Sequence, residues 1–187
     1  MKRKLKNGVE QILDGCRNGD SAARRDLYEL LAARMFGVIR RYVKDNATAE
    51  DLLHDGFVTL YTKIGDYRGE GAFEAWCRKI FVNTALGYLR KNAPVLTEDY
   101  SDMPRSVAQV QANVVERMSA EDIMACIAKL PSGYGTILNL YAVEGYSHAE
   151  IAEMLNISEN TSRSQYSRAK VKLLEMMNEY FGQDEYR

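Results

Sequence analysis

Apolar side chains recur at helical spacing along almost all of this 187-residue chain. The segment "DLYELLAARMFGVIRRYV" (26–43) is typical, because an apolar residue returns every three or four positions, the period of an amphipathic helix. Its expected buried stripe is Leu27, Leu31, Met35, Val38, Ile39 and Tyr42. No segment alternates at the period of a strand and ends in hairpin residues. We therefore expect an all-α protein.

The helical period lapses once, in "NAPVLTEDYSDMPRS" (92–106), which contains two of the three prolines and is acidic. Proline and acidic residues at this density favour an extended connector. We therefore expect two small helical domains, residues 1–92 and 118–187, joined by an acidic linker at 93–117.

Three further segments organise the first of these domains. Thr48 and Asp51 form a capping-box pattern that predicts a helix start, followed by buried Leu52, Phe57, Leu60 and Ile64. "DYRGEG" (66–71) predicts a loop with two glycines. The next helix, "AFEAWCRKIFVNTALGYLRK" (72–91), is expected to bury Phe73, Trp76, Ile80, Ala85 and Leu89.

The second domain has the proportions of a helix-turn-helix. Capping-box patterns at Ser119/Asp122 and Ser147/Glu150 each predict a helix start. A short helix then leads through the turn at 156–158 into a long helix that Ser158 is expected to cap.

A helical wheel of that last helix separates two faces. The expected buried face is Ser162, Tyr166, Ala169, Leu173, Met176 and Met177. The opposite face collects Ser164, Ser167, Arg168 and Val171, with Arg163 on its flank. Short hydroxyl side chains beside arginines suit a recognition helix in a DNA major groove. A plain solvated helix face is the alternative.

Charge and composition narrow the classes of function. The formal net charge is −1, but basic residues concentrate at 76–91 and 158–174, which favours nucleic-acid binding. The three cysteines are scattered singly, so we expect reduced thiols in a cytoplasmic protein. No catalytic set, metal-ligand cluster or phosphate loop is present in the sequence, so we expect no enzyme, no metal and no cofactor. No apolar run approaches the ~18 residues of a membrane span, so no membrane insertion is expected.

Three segments together resemble the bacterial RNA polymerase sigma factors of the extracytoplasmic function (ECF) group. They are "AEDLLHDGFVTLY", "YRGEGAFEAWCRKIFVNTALGYLRK" and "LPSGYGTILNLYAVEGYSHAEIAEMLNISENTSRSQYSRAKVKL", and the resemblance covers residues 22–177. It implies a protein that binds core RNA polymerase and directs promoter-specific initiation by recognising the −10 and −35 elements and melting the duplex. The implied partners are the β′ clamp helices and the β subunit of core polymerase, promoter DNA and an anti-sigma factor.

The resemblance also implies site residues. Core polymerase would bind Asp51, His54 and Asp55, where the family usually has Asp-x-x-Gln-Glu-x-Phe. The loop after residue 66 would form a pocket for a flipped base of the −10 element, and the implied −10 residues are Arg68, Gly69, Phe73, Trp76, Arg78, Lys79, Asn83, Arg90 and Lys91. The implied −35 residues are Thr161, Arg163, Ser164, Ser167, Arg168 and Lys170. In place of the family's usual Gly-Thr-Val, this chain has Asn160, Thr161 and Ser162.

Two alternatives remain open at this point. A stand-alone helix-turn-helix regulator, with an N-terminal domain for a ligand or protein, would bind duplex DNA tightly without polymerase. A protein-binding helical module would not need the basic face of its last helix. Asp51 could serve as a helix cap, and Trp76 could belong to the core.

Overall fold

The computed structural model describes residues 2–92 and 119–182, and side chains from 8 to 92 and from 119 to 179. Those residues contain helices and no strand, which confirms the all-α expectation. The helices are α1 (Lys2–Arg17), α2 (Ser21–Ile39), α3 (Asn46–Lys63), α4 (Phe73–Asn92), α5 (Ala120–Lys129), α6 (Ser132–Leu138), α7 (His148–Leu155) and α8 (Glu159–Gly182). A 3₁₀ turn, Ile64–Asp66, follows α3, and a π-helical turn, Asn139–Val143, continues α6. The acidic linker at 93–117 lies outside the described residues.

The chain divides into two compact units, Met1–Tyr88 and Leu89–Arg187. The division falls within α4, near the predicted end of the first domain. The domain limits 1–92, 93–117 and 118–187 stay predictions.

The first unit is built on the apolar stripes of α2 and α3. All six residues predicted for the α2 stripe are buried, as are Leu52, Phe57, Leu60 and Ile64 on α3 and the turn after it. The predicted cap of α3 is wrong. The helix begins one turn earlier than Thr48 and Asp51 indicate, because the Asp45 carboxylate accepts hydrogen bonds from the Thr48 backbone N–H at 2.8 Å and the Thr48 hydroxyl at 2.7 Å.

The buried face of α4 differs from the expected one. Ala85 and Leu89 are buried as predicted, but Phe73, Trp76 and Ile80 are only partly buried. The face that enters the core carries Cys77, Phe81, Val82, Ala85, Leu86 and Leu89. The Phe81 ring lies over Gly56 of α3 and meets the edge of Phe57 at a centroid distance of 5.1 Å. A glycine on α3 therefore decides which side of α4 faces inward.

The second unit begins its helices as the sequence indicates. Ser119 and Asp122 form a complete capping box, and so do Ser147 and Glu150. Its core joins Ile127, Leu130, Tyr134 and Leu138 to Ala169 of α8.

The inner face of α8 agrees largely with the helical wheel. Ser162, Ala169 and Met177 are buried, whereas Tyr166, Leu173 and Met176 are partly buried against the core. Gln165 is buried as well, which the wheel did not predict.

Candidate nucleic-acid interface

The residues implied in polymerase binding share one face of α3. Asp51, His54 and Asp55 are all exposed, at positions i, i+3 and i+4. Val58 continues the same face one turn later and is 63% exposed, the most exposed of the large hydrophobic residues in the described chain. Since Asp45 caps this helix, Asp51 has no capping role. Sequence analysis did not select Val58 as a site residue, because an apolar side chain on an amphipathic helix is normally expected in the core.

A groove of about 430 Å³ runs beside this face, between α2 and α3. Its lining comprises Tyr28, Ala32, Ala33, Phe36, Glu50, Leu53 and His54. His54 therefore belongs both to the acidic face and to an apolar groove, and the two surfaces are continuous.

The loop between the 3₁₀ turn and α4 is closed by Tyr67. The Tyr67 hydroxyl donates a hydrogen bond to the Gly71 carbonyl at 2.9 Å, and its ring contacts Phe73 and Trp76 at centroid distances of 5.1 and 5.5 Å. Gly69 and Gly71 have φ of +80° and +76°, in the left-handed region that glycine adopts without strain. Tyr67 was not among the predicted site residues.

This loop borders a cavity of about 800 Å³. Arg68, Gly69 and Phe73, three of the predicted −10 residues, line it together with residues of α1. Trp76 is not in the lining. It packs against Tyr67 and Phe73 and is only partly buried. Trp76 is therefore neither a fully buried core residue nor a residue that lines the cavity.

Along α4, three predicted residues form a polar stripe. At about 100° per residue, Lys79, Asn83 and Arg90 fall within roughly 40° of one another, and all three are exposed. Lys91 is exposed but lies about 100° from Arg90 around the helix. Arg78 is half-buried on the side that faces the core. The structure therefore brings together Lys79, Asn83 and Arg90 and separates Arg78 from them.

In the second unit, α7 and α8 form the predicted helix-turn-helix. Asn156 ends α7 in the left-handed region, with φ of 55° and ψ of 49°. The Ser158 hydroxyl accepts a hydrogen bond from the Thr161 backbone N–H at 3.0 Å, which confirms Ser158 as the cap of α8.

A buried hydrogen bond fixes α7 on α8. The His148 Nδ1 and the Ser162 hydroxyl are 2.9 Å apart, and the imidazole stacks on Tyr141 at a centroid distance of 4.4 Å. Burial lowers the pKa of His148, and the Arg163 charge lowers it further. This pairing could not be predicted from the sequence, because the two residues are 14 positions apart and neither belongs to a recognisable motif.

The outer face of α8 carries the predicted −35 residues. Arg163, Ser164, Ser167 and Lys170 are exposed, while Thr161 and Arg168 are partly buried. The Arg163 guanidinium binds the Glu159 carboxylate one turn back. The Lys170 ammonium lies over the Tyr166 ring, 5.0 Å from its centroid.

Comparison with known proteins settles the family. Residues 27–95 match the sequence model described as Sigma-70 region 2, and residues 120–173 match Sigma-70, region 4. The ECF RNA polymerase sigma-E factor of Haemophilus influenzae is 30% identical over 86% of this chain and 90% of its own length. This chain belongs to the ECF group of RNA polymerase sigma factors. The sigma-H factor of Pseudomonas aeruginosa is 29% identical over 86% of this sigma factor and 89% of its own length.

Among solved structures, the sigma factor is similar to RpoE of Bartonella quintana, solved in complex with the anti-sigma factor NepR. The identity is 19%, the coverage 82% of this chain and 96% of that one, and the TM-score 0.49.

As a member of this family, the sigma factor binds RNA polymerase and directs transcription initiation. The expectation of an ECF sigma factor that directs transcription initiation is confirmed, and the stand-alone regulator is not favoured. In the parts of the chain that the structure describes, no helix has the length and apolarity to cross a membrane.

Proposed function

We propose that the sigma factor uses three separate surfaces, one for core polymerase and two for promoter DNA. The observation that carries this proposal is the arrangement of α3, the loop after the 3₁₀ turn, and α4. Helix α3 has an acidic face with one exposed apolar residue, and the loop borders a cavity that adjoins α4 with its polar stripe.

The α3 face is proposed to dock on core polymerase, at the β′ clamp helices. Asp51, His54 and Asp55 offer acceptors and charge to basic partner side chains, which steer association and orientation. Val58 supplies apolar area at the same face, since burying an exposed valine contributes about 1.5 kcal/mol. The β subunit is the second polymerase contact that we propose, and no particular residue is assigned to it.

The loop and α4 are proposed to recognise the −10 element. A base taken out of the stack costs a few kcal/mol, and the pocket must return that energy by stacking and hydrogen bonding. Phe73 lines the cavity and offers an aromatic ring. Asn83 is exposed and carries both a donor and an acceptor that can read a base edge. Lys79 and Arg90 would neutralise phosphates on the same side of α4.

The outer face of α8 is proposed to enter the major groove at the −35 element. Ser164 and Ser167 keep the face thin enough for close approach, while Arg163 and Arg168 can reach guanine or phosphate. Thr161 and Lys170 flank this face. Catalysis of RNA synthesis belongs to the polymerase. We propose a cytoplasmic protein, and an anti-sigma factor as the family-level expectation for its regulation.

In vitro transcription with core polymerase tests the proposal through two variants that should fail differently. Val58→Ala should weaken core binding about fivefold to tenfold and leave sequence preference in the bound complex unchanged. Asn83→Ala should keep core affinity and reduce discrimination in the −10 element. No complex with core, together with specific duplex binding by the chain alone, would instead favour the stand-alone regulator.

A further inference from the structure

The cavity beside the −10 loop has a wall that lies outside the matched family segments. Helix α1 contributes Val9, Glu10, Leu13, Asp14 and Arg17 to it, whereas the match to region 2 begins at residue 27. These five positions are spaced so that they share one face of the helix. Helix α1 therefore adds a wall that lies outside the two matched segments.

Helix α1 is fixed firmly enough to act as a wall. Leu13 is 4% exposed and Cys16 is 2% exposed, so both anchor the helix in the core. At Gly15 the helix comes so close to α2 that an added Cβ would lie 2.5 Å from the Ala23 Cβ. A helix held at that separation keeps its outward side chains in defined positions.

Hydrogen bonds tie α1 to the loop across the cavity edge. The Arg17 guanidinium binds the Asp14 carboxylate at 2.9 Å and donates a hydrogen bond to the Tyr67 carbonyl at 3.0 Å. Tyr67 in turn closes the loop on Gly71. Arg17 thus positions the loop against α1 and holds the cavity open between them.

Some of the charged residues that line the cavity are paired with each other and others are not. Asp14 and Arg17 satisfy each other. In the described part of the chain, Glu10 makes no hydrogen bond or ion pair, and neither does Arg68. Arg68 suits a phosphate. Glu10 is a carboxylate beside a site for a polyanion, where it repels the DNA backbone unless it receives a hydrogen bond from the bound base.

We infer that α1 completes the pocket for the flipped −10 base and that Glu10 selects a base carrying an exocyclic amine over thymine. This inference rests on the proposed function of the loop. An ionised carboxylate accepts hydrogen bonds and donates none, so it pairs with an amino group, as carboxylates do with cytosine N4. Thymine has no amine, and carbonyl oxygens flank its single ring N–H, so it would face Glu10 with repulsion.

The test uses polymerase holoenzyme and a bubble duplex with a randomised non-template strand, sequenced after binding. Wild-type holoenzyme should deplete thymine about tenfold at one position, the effect of one base contact of about 1.4 kcal/mol. Glu10→Gln offers a donor as well as an acceptor, so thymine depletion at that position should fall to about twofold or less, with the other positions unchanged. Glu29→Gln makes the same charge change at an exposed site on α2 outside the cavity lining, and should leave the profile intact.

Several results would overturn the inference. An equal gain in binding on all four bases would mean that Glu10 acts only through net charge. Unchanged thymine depletion in Glu10→Gln would also reject the inference. If millimolar deoxycytidine monophosphate abolishes the base preference of wild-type holoenzyme, the cavity is a site for a free nucleotide and the inference is rejected. If wild-type holoenzyme initiates transcription but selects no base, the inference alone fails. If it forms no complex and initiates nowhere, the proposed function fails with it.

Discussion

The substitution Gly56→Ala tests how α3 and α4 pack, and with them the relation between the polymerase face and the −10 stripe. Gly56 is buried in α3. A Cβ at this position would lie less than 3.0 Å from both Cδ1 and Cε1 of Phe81, closer than real Cβ atoms come to their neighbours, and 3.3 Å from its Cγ. Phe81 is completely buried, and its ring is held by Phe57. The ring therefore has little room to retreat.

Two opposing effects set the magnitude. Alanine is about 1 kcal/mol better than glycine in a helix interior. The added carbon requires the Phe81 ring to move by roughly 1 Å, and overpacking of this kind costs about 1–3 kcal/mol. We therefore expect Gly56→Ala to be destabilised by up to about 2 kcal/mol. Gly37→Ala on α2 is the matched control, because Gly37 is exposed and an added Cβ there meets no atom within 4 Å. It should gain about 1 kcal/mol.

Urea unfolding followed by tryptophan fluorescence measures the difference. Trp76 is the single tryptophan of the chain and lies in the first unit, so its emission reports the unfolding of that unit. With a slope of about 1 kcal/mol per molar urea, the two variants should differ in midpoint by about 1–3 M. If Gly56→Ala is stabilised as much as Gly37→Ala, Phe81 does not lie over Gly56 and the placement of α4 is refuted.

Two predictions concern the second unit. Glu159→Gln releases Arg163 from its ion pair and removes a negative charge from the helix that we propose enters the −35 major groove, so −35 binding by holoenzyme should tighten about twofold to fivefold. Glu175→Gln, which breaks the Lys172 pair further along α8, is the control; an equal effect would mean a general charge response. Burial lowers the pKa of His148 in the folded protein, so the unfolded chain binds more protons than the folded one as the pH falls. The contribution of His148 to stability is therefore complete above pH 6.5. It declines as the pH falls through 6.5 toward the pKa of the folded state. Thermal unfolding at pH 7 and pH 5 should show a smaller acid loss in His148→Gln than in wild type. An equal acid loss in the two proteins would reject the buried role of His148.

The sequence by itself determined the features that depend on neighbouring residues. The capping boxes at Ser119 and Ser147 formed as the sequence indicated, because a cap joins side-chain and backbone groups within one turn. The buried stripe of α2 was also predictable, because its apolar residues recur at helical spacing and so lie on one face of the helix. The failure at Thr48 has a local cause too: Asp45, three residues earlier, accepts a hydrogen bond from the Thr48 backbone N–H, so the helix begins before Thr48.

Only the tertiary structure decided the features that depend on contact between distant segments. The inward face of α4 follows from a gap at Gly56, 25 positions from the Phe81 ring that fills it, so the period of α4 alone selected the wrong aromatic residues. The His148–Ser162 hydrogen bond joins two helices. The cavity joins α1 to a loop 50 residues away through Arg17 and Tyr67. Helical period and capping are encoded within a turn or two of chain, whereas the shape and charge of a pocket depend on which helices meet.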